Sequence, residues 1–188
     1  MAAPATKTSK DLSGQWGLNK QLSDNPEPVL QLQGIGFFIR KAIGLASISI
    51  EMIQYSDTPT PPSTSNEPVT FLSVSQTASG LKGMSELRIL DDEIRDHTDW
   101  LFGSLKVQSR WVQVDEITER EWLKYDWEKG DRLIRTHVKN EKYGWEAIQI
   151  CGFQVVNVVR RYCSRTYVTK GDQSATCRLV YDYIDNEV

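Results

Sequence analysis

A chain of 188 residues with 39% apolar content, six Trp, seven Tyr and five Phe can fill one core with interior surface to spare, and a second domain is not expected. Its formal charge of -3 offers no basic footprint for nucleic acid, and no stretch approaches the roughly 18 consecutive apolar residues of a membrane span. The opening MAAPATKTSK lacks the apolar run of a secretory signal, so a cytoplasmic location is expected, with neither nucleic acid nor membrane as partner.

The first 11 residues are small and polar and are expected as a disordered tail ahead of a barrel domain over 12–188. SGQWGLNK then reads as a strand with Trp16, Leu18 and Lys20 on one face. After the turn cluster Ser23-Asp24-Asn25-Pro26, Leu32, Ile35, Ile39, Ala42 and Ile43 recur at helical spacing. Gly34 and Gly36 interrupt that run and predict two short helices with a bend. From Ala46 the period becomes two: Ala46, Ile48, Ile50 and Met52 alternate with Ser47, Ser49 and Glu51, a strand with one buried face. Residues 56–67, rich in Pro, Ser and Thr, read as a loop.

Further strands are expected over 69–77, 84–90, 94–102 and 105–114, and again over 132–139, 145–155, 159–169 and 175–184. Residues 116–127, EITEREWLKYDW, fit either a short charged helix or an irregular connection with two aromatic anchors. About ten strands at short spacing, with one helical insertion after the first, predict an all-β fold: a single antiparallel up-and-down β-barrel that encloses a ligand cavity. The three cysteines match no zinc spacing; a turn centred on Asn157 would set Cys151 opposite Cys163, a bridge that a reducing compartment disfavours.

Gly14-Gln15-Trp16 on the first strand resembles the G-x-W signature of the calycin superfamily, in which the Trp plugs one barrel end beneath an Arg from the last strand. The resemblance makes Arg178 the matching Arg. LQLQGIGFFIRKAIGLASISIEM resembles the helical portal of intracellular fatty-acid-binding proteins, with Leu32 to Gly36 and then Arg40 and Lys41 at the matching positions. Those proteins clamp a carboxylate with an Arg and a Tyr two residues apart on the last strand. Here Arg178 and Tyr181 are three apart, so a regular strand turns them to opposite faces. The whole chain, above all LSGQWGLNKQLSDNPEPVLQLQGIGFFIRKAIGLA and the ending RLVYDY, is similar to small fungal lipocalin-like proteins, among them the hetero-Diels-Alderases of tropolonic sesquiterpene biosynthesis. That family implies dehydration of a hydroxymethyl tropolone-type substrate to an o-quinone methide, followed by cycloaddition onto a humulene-type alkene.

Such chemistry asks for an apolar cavity that aligns diene and dienophile, and for groups that move one proton. No H-E-x-x-H, phosphate-cradling Gly-rich loop or G-x-S-x-G is present, and no cofactor or metal is expected. Trp100, Trp111 and Trp145 are candidates for an aromatic wall, with Phe38 capping it from the portal and Gln149 and Tyr181 as neutral hydrogen-bonding groups. Lys20 and Asp96 share strand parity with Trp16 and with Trp100, which marks them as inward charges. The reference pKa of histidine suits a proton carrier and makes His97 a catalytic candidate on that ground, but it falls with Arg95 and Asp99 on the other parity, which is expected to face solvent. The partner expected is an apolar or aromatic small molecule, with monomer and dimer both open. The competing class is a non-catalytic carrier of a lipid or terpenoid.

Overall fold

In the computed structural model, which describes residues 1–184, ten antiparallel strands run β1 (Gly14–Leu18), β2 (Ile48–Asp57), β3 (Val69–Ala78), β4 (Leu81–Ile89), β5 (Ile94–Asp99), β6 (Gly103–Val112), β7 (Leu133–Asn140), β8 (Trp145–Val156), β9 (Val159–Lys170) and β10 (Gln173–Ile184). They form one sheet in the order β4-β3-β2-β1-β10-β9-β8-β7-β6-β5. The curled sheet is closed except between its two edges, β4 and β5. Two short helices, α1 (Glu27–Leu32) and α2 (Phe37–Leu45), follow β1. Gly34, at φ +85°, supplies the left-handed residue that turns the chain between them.

One end of the barrel is filled with aromatic side chains. Trp16 is fully buried and packs against Phe153, Tyr162 and Tyr183 at centroid distances of 6.1, 5.4 and 5.0 Å. Its Nε1 donates to the Leu12 carbonyl at 3.0 Å, so the indole leaves no unsatisfied polar atom. Arg178 does not cover it. That side chain lies on the outer face of β10, where Nη2 donates to the Leu22 carbonyl at 3.4 Å, and the guanidinium stacked on the plug is that of Arg160, 3.8 Å from the Phe153 centroid.

The first 11 residues, expected to be disordered, pack beneath this plug: Ala3 is buried and its N–H donates to the Arg160 carbonyl at 2.8 Å. Residues 113–132 resolve into an irregular connection with two 3-10 turns, Val114–Glu116 and Glu121–Lys124. It covers the outer face of β8 and β9, burying Leu123 and Trp127 against Ile150, Cys163 and Val180. The turn between β8 and β9 places both Asn157 and Val158 at positive φ, so Val156 pairs with Val159 and Cys151 pairs with Ser164. That register differs by one residue from a turn centred on Asn157. Cys151 therefore faces the interior and Cys163 the outer core, which rules out the bridge.

Asp182 ties the chain ends together, accepting from Arg161 Nε and Asn19 Nδ2 at 2.7 Å each, with the N-terminal ammonium 3.8 Å away. Burial raises its pKa, but these donors more than offset that and hold it below its ordinary 3.8. A lowered folded pKa adds stability above the unfolded value, which is lost as pH falls through the folded one. Asp182→Asn should therefore lower the urea midpoint at pH 7, with an effect that starts to shrink below pH ~3.9 and disappears only once the pH is below the lowered folded value, a difference that parallel denaturation curves will measure.

Candidate functional site

Two joined compartments occupy the barrel above the aromatic plug. The inner one, about 300 Å³, has walls that include Met52, Val74, Leu105, Val107 and Trp145. Its charged and titratable side chains include Glu86 and Arg88 on β4, His97 and Asp99 on β5, Tyr162 on β9 and Tyr181 on β10, with Gln149 on β8 among the neutral polar groups beside them. The outer one, about 660 Å³, lies under the helices against Ile39, Ala42, Ile43, Ile48 and Ala78. Leu30, Gln76, Met84, Phe102, Leu179 and Tyr181 border both and form the waist between them. A β-bulge between Ser75 and Thr77 interrupts the β3–β4 ladder at the waist, where Gln76 sits.

Arg88 is held at the floor of the inner compartment, with its side chain 11% exposed. Its Nε donates to Glu86 Oε1 at 2.8 Å, Nη2 donates to the same oxygen, and Nη1 approaches Cys151 Sγ at 3.9 Å. Burial opposes the charge, but the Glu86 carboxylate more than compensates and keeps the guanidinium protonated. Burial also pushes the Cys151 thiol and the Tyr162 and Tyr181 phenols up, so all three remain neutral. Tyr162 and Tyr181 pack with ring centroids 5.7 Å apart.

His97 and Asp99 face the same compartment, with His97 Nε2 3.8 Å from Asp99 Oδ2. The other Asp99 oxygen accepts from the backbone N–H of Leu101 and Phe102 at 2.8 and 2.6 Å, which fixes this carboxylate inside the β5–β6 turn. Trp145 Nε1 and Ser164 Oγ, on two residues that line the inner compartment, are buried without a partner among the described residues.

The sequence-predicted residues divide accordingly. Trp145, Gln149 and Tyr181 line the inner compartment, and Tyr181 faces in while Arg178 faces out. His97 joins them because β5 has the opposite parity to the one expected. It pairs with Leu105, and Arg95 pairs with Val107, and directly opposed residues share a face. Asp96 is consequently outside, 82% exposed and paired with Lys106. Trp100 is on the β5–β6 turn, 69% exposed at the rim of the outer compartment, and gives the inner one no aromatic wall.

Trp111 has the expected inward parity but lies below the cavity. It packs on the floor cluster with the Arg132 guanidinium 5.5 Å from its ring. Phe38 is 86% exposed and caps nothing, because the apolar stripe of α2 that turns inward is Ile39, Ala42 and Ile43. Lys20 follows the end of β1 and reaches across the rim, where Nζ donates to the Gly44 carbonyl at 2.7 Å. Glu86, Arg88 and Tyr162 were not anticipated. In Met84-Ser85-Glu86-Leu87-Arg88 an inside-apolar reading buries Leu87, whereas the strand exposes Leu87 and turns the ion pair inward.

No family model matches this sequence. The chain is 32% identical to the probable pericyclase scpY of Mollisia scopiformis over 185 residues, covering 97% of this chain and 95% of that protein. It is also 32% identical to the pericyclase pydY of an Acremonium species over 187 residues, covering 98% and 97% respectively. Among solved structures it resembles the REP1-NXSQ fatty acid transporter (TM-score 0.54, 15% identity, 94% and 98% coverage) and the fluorescent protein UnaG (TM-score 0.52, 12% identity, 92% and 97% coverage). The fold is thus that of the fatty-acid-binding and lipocalin-like barrels. The chain belongs to the pericyclase family that includes scpY and pydY.

The waist and the outer surface should respond differently to substitution. Leu179→Trp, which fills the passage between the compartments, should weaken binding of the fluorescent probe 1-anilinonaphthalene-8-sulfonate by roughly tenfold or more, since losing even one well-packed contact region is worth above about 1.4 kcal/mol. Asp96→Asn should leave that titration unchanged.

Proposed function

We propose that this chain is a cofactor-independent pericyclase. The observation that carries this reading, beyond family membership, is the pair of joined compartments: a smaller, mainly apolar chamber that carries Glu86, Arg88, His97 and Asp99 on its wall, opening through a waist into a larger and more apolar one. A polar, conjugated ring suits the first and a hydrocarbon the second, with the reacting carbons meeting at the waist. Holding two reactants in register can supply roughly 7–11 kcal/mol of the barrier at best, without covalent participation by the protein.

The finer proposal is a dehydrative hetero-Diels-Alder reaction. A hydroxymethyl tropolone-type substrate loses water to give an o-quinone methide: the carbon–oxygen bond of the hydroxymethyl group breaks, its oxygen gains a proton, and the ring hydroxyl gives one up. The methide carbon and ring oxygen then form two bonds to an alkene of a humulene-type terpene. Because dehydration moves one proton between two sites on the same molecule, a single imidazole can perform both transfers. His97, with Asp99 positioned beside it, fills that role. Gln149 and Tyr181 orient the ring oxygens, and Lys20 braces the rim of the outer compartment. A carrier is the second reading, favoured by the helix-covered opening.

The test is incubation of the purified protein with a hydroxymethyl tropolone and humulene, following adduct formation and stereochemistry against a protein-free control. A pericyclase raises the rate or narrows the stereochemistry, and His97→Gln lowers the dehydration rate by about a hundredfold or more with little change in binding. Tight binding of both compounds at the control's rate and product ratio establishes the carrier instead.

A further inference from the structure

We infer that Arg88, held in place by Glu86, is a carbonyl-binding residue of this cavity, and that the substrate enters with a conjugated carbonyl oxygen directed at the floor and its hydrocarbon part toward the helices. The inference deepens the pericyclase reading by assigning an orientation and a substrate class, α,β-unsaturated carbonyl compounds. Its consequence for rate rests on that reading; its claim about binding rests on the cavity alone.

Among the described residues, Arg88 is the one Lys or Arg side chain on the wall of the inner compartment. A guanidinium carries five N–H donors in a fixed fork. Nε and Nη2 both address a single oxygen of Glu86, and this orients the fork along the wall of β4. What remains is the Nη1 edge, whose protein neighbour is a sulfur at 3.9 Å. A neutral thiol is a poor acceptor for a charged donor, so this edge holds unspent hydrogen-bonding capacity at the boundary of the inner compartment. Tyr162 lies against the same sulfur and lines the same compartment, adding a phenolic O–H.

The Glu86 partner decides which ligand fits. The ion pair is neutral as a unit, so a full carboxylate at Nη1 would face Glu86 as well as Arg88, and a carbonyl meets no such repulsion. The carboxylate-clamping pattern of Arg and Tyr on the last strand is also absent, since Arg178 points outward. A carbonyl conjugated to an alkene or to a quinone methide gains negative charge on oxygen as a cycloaddition proceeds. A donor already in place stabilises that charge more in the transition state than in the ground state. Arg88 would then contribute to rate as well as to orientation, and Glu86 is a positioning residue.

The probe is trans-chalcone, an α,β-unsaturated ketone, with trans-stilbene as its carbonyl-free counterpart. Infrared difference spectra of carbonyl-labelled chalcone bound to the full chain should show a carbonyl band lowered from its position in apolar solvent. In Arg88→Met combined with Glu86→Gln, which removes both charges together, the band should return toward that position. Chalcone affinity should fall by roughly tenfold or more, in line with a hydrogen bond to a charged donor, and stilbene affinity should stay within about twofold. If the double variant does not fold, Arg88→Lys decides, since a shorter, unforked cation should lower the band less than arginine does. A band at its apolar-solvent position in the unmodified protein, absence of chalcone binding, or a shift and affinity insensitive to these substitutions overturns the inference. A lowered band in a protein that accelerates no cycloaddition retains the carbonyl anchor and removes the pericyclase reading; acceleration untouched by the double variant retains that reading and overturns the contribution of Arg88 to rate.

Discussion

The barrel depends on pairing the two ends of the chain. β1 lies between β2 and β10, with Trp16 opposite Ile50 on one side and Tyr183 on the other. Without that short strand the first three hairpin-connected strands of the sheet would have no continuous ladder to the last six. Trp16 makes the pairing worthwhile because it is fully buried among Phe153, Tyr162 and Tyr183, residues drawn from β8, β9 and β10. Its burial converts a long-range closure, entropically expensive for strands so far apart in sequence, into a favourable one. The plug also fixes the cavity floor, since Tyr162 belongs both to it and to the polar wall above.

Closure is completed differently on the far side. β4 and β5 share no ladder, yet the edge is not left open. Arg95 on β5 donates through Nη1 and Nη2 to the two oxygens of Asp91, both at 2.7 Å, and through Nη2 to the Thr60 carbonyl at 2.9 Å, which brings the β2–β3 loop across the slit. These side-chain bonds tie β5 to the β4–β5 connection and to the β2–β3 loop, and inward-pointing charge on an edge strand also discourages pairing with another chain. The interior faces of β4 and β5 can then carry Glu86, Arg88, His97 and Asp99, while the central strands β8 and β9 supply mostly apolar and neutral polar wall. Reactive polarity is concentrated where the sheet is least continuous.

This distribution explains what the sequence made legible. Strands with one apolar and one polar row, such as β2 with Ile50 and Met52 inside, announce both their existence and their facing. The helical pair, the turn glycines and the alternation in β6 were equally readable. On β4 and β5 the rule inverts: Leu87 and Ile94 are exposed and charges point inward, because the cavity is partly polar and no core competes for those positions. Inside-apolar reasoning placed Asp96 within and passed over Arg88 for that one reason. Phe38 and Trp100 were misjudged through a related assumption, that large aromatics seek the interior. At a ligand opening they sit on the rim, and the two are 86% and 69% exposed.

A cavity in place of a core is destabilising, and the structure distributes the burial it forgoes. Apolar surface that cannot be buried inside is buried outside, where the 113–132 connection folds Leu123, Trp127 and Ile117 onto β8 and β9. Those strands therefore have apolar residues on both faces, which accounts for the near-continuous burial of Ala147 to Gln154. The outer cover stiffens the wall opposite Arg88 without filling the interior. The inner chamber can then keep Trp145 Nε1 and Ser164 Oγ without partners among the described residues, a cost of about 1–3 kcal/mol for each such group, because the second core holds the strands that carry them. Stability and binding are thus assigned to opposite faces of the same two strands, so substitutions on the inner face can change what the cavity accepts while the outer face maintains the fold.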